Sequence, residues 1–130
     1  MSWFISGKKT EPLLSEYPEI KVRDRMKKIE IVGYSRMTDP AEYFNGLTQQ
    51  LENYFLTFDK TLLLDFRLEF INTTSTKLLF KMLYDLQKQA KKTGMIEVSW
   101  YYEEDDETIQ ETGEIFKDLL DMPFHLIVIE

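Results

Sequence analysis

The chain has 130 residues, a formal net charge of −7, one histidine and no cysteine. That is the length of one ordinary domain, and the lack of cysteine excludes disulfides and thiolate zinc sites. A hydrophobic fraction of 43% with 14% aromatics supplies a real core and excludes a disordered chain.

Residues 1–17 carry no clear period and read as an N-terminal arm, followed by a single domain over 18–130. The start, Met1-Ser2-Trp3-Phe4, has no basic region leading into a long apolar stretch. No apolar run approaches the roughly 20 residues of a membrane span, so a cytoplasmic protein is the expectation. Glu19 to Arg23 and Lys27 to Tyr34 read as strands joined by the turn Asp24-Arg25-Met26, a hairpin without the favoured Asn-Gly chemistry.

Thr38-Asp39-Pro40 is a helix start, with a capping side chain and Pro at the first helical position. Phe44, Leu47, Leu51, Tyr54, Phe55 and Phe58 follow at helical spacing. Thr61 to Phe70 is a strand. A second helix runs from about Thr74 to Lys92 on the face of Leu78, Leu79, Met82, Leu83, Leu86 and Ala90, and Gly94 ends it. Ile96 to Tyr102 is a strand, Asp106 to Leu120 a third helix, and Pro123 to Ile129 the last strand.

The order ββαβαβαβ implies an α/β domain with a mostly parallel sheet, right-handed crossovers and an N-terminal hairpin. Leu62, Leu64, Phe66, Leu68 and Phe70 point one way, and Leu63, Asp65, Arg67 and Glu69 the other. A strand buried on both faces reads as a continuous apolar run, and these alternate. The helices therefore cover mainly one face, in two layers, with the parallel strands in sequence order.

The stretch Asn72-Thr73-Thr74-Ser75-Thr76-Lys77 follows an apolar strand and opens a helix. One such residue suffices for a cap, and here Asn72 and four hydroxyls crowd one turn. Free N–H groups and the helix dipole favour negative charge there, so a phosphate on Thr73 is electrostatically welcome, with Lys77 one turn on.

The run Tyr101-Tyr102-Glu103-Glu104-Asp105-Asp106-Glu107 is the second unusual feature, and the sheet order places it beside the first. Residues 97–130 hold eleven acids and only Lys117. That argues against nucleic acid, which needs clustered Lys and Arg, and suits a basic protein partner or a solvated helix cap. The acid spacing does not match the EF-hand pattern, so no metal is assigned. His125 stands alone, without the company a zinc site or triad needs. Asp65, Arg67 and Glu69 share one strand face as an ion-pair ladder; a small enzyme on the open face is the rival reading. No glycine-rich phosphate loop is present and no cofactor is called for. A constitutive scaffold or homodimer is the third reading.

Residues 68–77, then Val98 to Glu107 with Glu111-Thr112-Gly113-Glu114 and Pro123-Phe124, resemble the SiaC family of bacterial regulatory phosphoproteins over about residues 20–129. The resemblance implies a STAS-like fold, as in anti-sigma-factor antagonists; since no residues assemble an active site, a non-enzymatic protein is the expectation. It implies a phosphorylated threonine directly after the motif asparagine, which is Thr73. The family motif commonly reads Asn-Thr-Ser-Ser, and the extra threonine here makes Thr74 the second choice. It further implies that the unmodified protein binds and activates a diguanylate cyclase. A dedicated kinase and a metal-dependent serine/threonine phosphatase would set the phosphorylation state. The surroundings of the acceptor are then Asn72, Ser75, Thr76 and Lys77, and the partner surface Tyr101, Tyr102, Glu103, Glu104, Asp105 and Asp106.

Overall fold

Strands β1 (Glu19–Arg23) and β2 (Lys28–Ser35) form the expected hairpin, and the chain continues as α1 (Ala41–Leu56), β3 (Leu62–Ile71), α2 (Thr73–Thr93), β4 (Ile96–Glu103), α3 (Glu107–Leu119) and β5 (Phe124–Ile129). The structure is a computed structural model that describes residues 16–56, 61–93 and 95–129. Residues 1–15 of the expected arm, Phe58 and the helix-ending Gly94 lie outside the described residues, as does the side chain of Phe55. The last residues of that arm are docked: Glu16 O accepts from Arg36 N at 3.0 Å, and the Tyr17 and Tyr43 rings lie 5.1 Å apart.

The sheet order is β1-β2-β3-β4-β5, antiparallel between β1 and β2 and parallel elsewhere. Parallel neighbours in sequence order, each joined by a helix, give the one-sided arrangement that right-handed crossovers in one direction produce. Ile29 and Ile31, Leu62, Leu64 and Phe66, and Ile96, Val98 and Trp100 are buried beneath the helices. Leu47 and Leu51 of α1, Leu79, Leu83 and Leu86 of α2, and Ile109 and Phe116 of α3 cover them. Trp100 is the centre of the cluster, with rings of Phe66, Phe116 and Phe124 at 5.4–6.1 Å.

Two local expectations are corrected. Pro40 precedes α1, and its carbonyl accepts from Phe44 N at 2.9 Å, so it occupies the cap position instead of the first helical one. Phe70 does not share the core face of Leu68. Leu68 lies opposite Gly33 but Phe70 opposite Tyr34, which leaves Glu69 as an extra residue. Such a bulge reverses the side-chain alternation. Phe70 is thus 45% exposed and Ile71 buried. Gly33 accommodates the bulge at φ 108°, a backbone angle that favours glycine.

Candidate phosphoacceptor turn and its neighbours

The bulge turns Ile71 inward and brings Asn72 against the end of β2. Asn72 N donates to Ser35 O at 2.9 Å, and Asn72 Nδ2 donates to Met37 O at 3.0 Å. Its Oδ1 accepts from Ser75 N at 2.9 Å, and its backbone carbonyl accepts from Thr76 N and Thr76 Oγ1, each at 2.9 Å. Asn72 is therefore the N-cap of α2 and a tether to the β2–α1 connection. The capping explanation for this turn belongs to Asn72, which leaves the hydroxyls of Thr73 and Thr74 without that task.

Thr73 is the first residue of α2, one residue earlier than expected, and both Thr73 and Thr74 are exposed. Ser75 is fully buried, so only its backbone serves the turn; Thr76 is half-buried and Lys77 exposed. Lys77 lies four residues after Thr73, a neighbouring position on a helix surface. The first turn of α2 carries no acidic residue. By contrast, α3 has Glu107 in its first turn and Asp106 as its cap. The positive end of the α2 dipole is thus unmatched by any side-chain carboxylate in its own turn.

The acidic run leaves β4 at the same sheet edge, because β3 and β4 are parallel neighbours. Their ladder ends at Phe66 opposite Trp100, whereas β2–β3 continues to Ile71 and β4–β5 to Glu103. The two strands therefore part before they reach their respective turns. Arg67 sits at the divergence, its guanidinium 3.7 Å from the centroid of the Tyr101 ring. Tyr101 and Tyr102 are half-buried, and Glu103, Glu104 and Asp105 exposed. Asp106 is committed locally: its Oδ1 accepts from Ile109 N at 3.1 Å. One of the six residues expected at the partner surface is therefore a structural cap.

The rival enzyme site does not assemble on the open face. Arg67 stacks on Tyr101, and Asp65, nearly buried, has Lys28 Nζ 3.3 Å from its Oδ2. Glu69 is the exposed bulge residue. Asp65 and Arg67, expected in one ladder with Glu69, thus engage different partners. His125 Nε2 lies 2.8 Å from Glu97 Oε2 in an exposed pair. A groove of about 250 Å³ lies instead on the helical side, lined by Phe44, Thr48, Leu78, Lys81 and Asp85. No group of three or more metal-ligating side chains occurs among the described residues, and none of their helices is long and apolar enough to cross a membrane.

Sequence reasoning missed the tether from Asn72 to Met37, a contact between residues 35 apart. It also missed Arg67 over Tyr101, which needs the cross-strand register to be known.

Comparison with known proteins agrees with this architecture. An uncharacterized protein of Pseudomonas aeruginosa (strain UCBPP-PA14) is 28% identical over 98 residues, covering 75% of this chain and 77% of that one. A crystal structure of the diguanylate cyclase SiaD in complex with its activator SiaC, from Pseudomonas aeruginosa, matches with a TM-score of 0.77 at 22% identity, covering 88% of this chain and 95% of the matched one. Apo-SiaC from the same organism matches with a TM-score of 0.73 at 23% identity, over 85% and 90% of the two chains. At these identities the structural likeness is one of fold. A family model described as SiaC family regulatory phosphoprotein matches residues 8–129, nearly the whole chain. The chain belongs to the SiaC family of regulatory phosphoproteins.

Proposed function

We propose that this protein is a non-enzymatic switch in which Thr73 accepts a phosphate. In its unmodified form it binds a signalling partner through the Thr73 turn and the segment Tyr101 to Asp105. The observation that carries the proposal is the exposed Thr73 at the first position of α2, behind an asparagine that already caps the helix. A phosphate there adds about −1.5 to −2 charges beside an uncompensated helix N-terminus and near Lys77. Exposed Glu103, Glu104 and Asp105 on the same sheet edge make that edge doubly negative after modification. A partner surface fitted to the unmodified edge then loses affinity. One badly placed interface charge costs a few kcal/mol, on the order of a hundredfold.

SiaC of Pseudomonas aeruginosa is described as the activator of the diguanylate cyclase SiaD. A cyclase of that class is accordingly the partner proposed here, with cyclic-di-GMP signalling as the setting. A cognate serine/threonine kinase and a metal-dependent phosphatase would act on Thr73 in the cytoplasm. The test is a pull-down of the cognate cyclase with the Thr73→Ala and Thr73→Asp chains. Thr73→Ala should retain the cyclase and Thr73→Asp should lose it by about a hundredfold. Equal retention by both would refute the switch.

A further inference from the structure

The two edges of the sheet are built differently. The outer strand β1, Glu19-Ile20-Lys21-Val22-Arg23, carries a charge at every second residue, a common guard against strand addition. The other outer strand, β5, reads Phe124-His125-Leu126-Ile127-Val128-Ile129 and has neither Lys, Arg nor Pro. Apart from His125, which is engaged with Glu97, it is apolar, and Val128 and Ile129 remain 40% and 38% exposed.

The backbone along β5 can be assigned. Val98 N donates to Pro123 O at 2.9 Å, and Val98 lies opposite Phe124 in a parallel ladder. In that pattern the C=O of Pro123 and the N–H and C=O groups of residues 125, 127 and 129 turn toward β4. Phe124, Leu126 and Val128 turn theirs outward, and among the described residues no strand pairs with them. An unguarded row of this kind accepts an added strand.

Charge selects the occupant. The edge belongs to residues 97–130, which hold eleven acids and one lysine. A second copy added across the two-fold would bring two such regions together. We infer that the β5 edge binds an extended segment of a partner protein in which aliphatic residues alternate with Lys or Arg. The backbone groups of Phe124, Leu126 and Val128 supply the ladder, and the acidic surroundings supply long-range attraction. This surface lies two strands away from β3, its backbone ladder does not involve Thr73, and its far end, Val128 and Ile129, lies opposite Tyr102 and Glu103.

The probe is a fluorescein-labelled nonapeptide of alternating Lys and Val, titrated with the full chain at low and at 0.5 M salt. Anisotropy should show saturable binding that weakens with salt, and hydrogen exchange should slow at the Leu126 and Val128 amides. The same peptide N-methylated on alternate residues, which blocks one of its edges, should bind at least tenfold more weakly, without any change to the protein. Val128→Pro, which removes an outward N–H and leaves the β4 ladder intact, should do the same. Equal binding of the N-methylated peptide would show charge attraction alone and overturn the proposal, as would no binding. A dimer in light scattering that Val128→Pro abolishes would give the edge to a second copy and also overturn it.

Discussion

Asn72→Asp is the most discriminating change at the proposed acceptor turn. Asp and Asn are equally good N-caps, so a view that assigns Asn72 to capping alone expects no loss. The structure expects one. The amide Nδ2 donates to Met37 O at 3.0 Å, and Met37 is buried. A carboxylate cannot donate, and it places a lone pair against that carbonyl. Loss of the bond costs about 1 kcal/mol, and the deprived carbonyl with the added repulsion brings the total to about 2 kcal/mol. Asn72→Ala loses the cap as well and should cost about 3 kcal/mol. Urea denaturation followed by tryptophan fluorescence measures both. At roughly 4 °C per kcal/mol for a domain of this size, the Asp variant should melt about 8 °C below the wild type. The deficit should shrink as pH falls through the carboxylate range, because a protonated Asp donates to Met37 O again. An Asp variant with an unchanged urea midpoint would refute the tether.

The remaining predictions concern the core. Gly113→Ala should destabilise by about 2 kcal/mol, although helix propensity alone predicts a gain of about 1 kcal/mol. A Cβ there meets Trp100 Cδ1, Trp100 Nε1 at 2.6 Å and Leu126 Cδ2 at 2.8 Å, and Trp100 is already held by Nε1 donating to Ile109 O at 2.9 Å. Calorimetry showing a higher melting temperature would contradict this packing. Tyr43 is buried with its hydroxyl unpartnered among the described residues, and burial first, then neighbouring Tyr17, pushes its pKa far above the usual tyrosine range. The unfolded chain therefore ionises Tyr43 first, so stability present below about pH 10 is lost as pH rises, at up to about 1.4 kcal/mol per pH unit. Tyr43→Phe, which removes that unpartnered buried hydroxyl, should be at least as stable as the wild type at pH 7 and flatten that alkaline decline in a urea series; an identical decline would exclude Tyr43 as its cause.

Much of the fold was legible because its signals are local. Alternation in β3 and β4 predicts a sheet covered on one face, and the helical spacing of Leu79, Met82, Leu83 and Leu86 predicts the face of α2 that packs. The order of elements leaves few topologies once crossovers are right-handed. The exposed Thr73 at a helix start was legible for the same reason. What escaped is long-range. The bulge at Glu69 depends on the pairing of β3 with β2, and without it Phe70 reads as core. Arg67 has acids two residues away on its own strand, yet its partner is the ring of Tyr101 across the sheet. Gly113 reads as a helix weakness until Trp100 is placed beneath it. Asp106 looks like one acid among five, and only the helix geometry singles it out as the cap.

The central claim is that Thr73 carries the regulatory phosphate. Phosphopeptide mass spectrometry on the protein isolated from its native cell, with fragment ions that separate residues 73 and 74, tests it most directly. The account predicts phosphate on Thr73, in a fraction that falls when the cognate kinase is deleted. Phosphate confined to another residue, or a Thr73 peptide never modified under any growth condition, would contradict it.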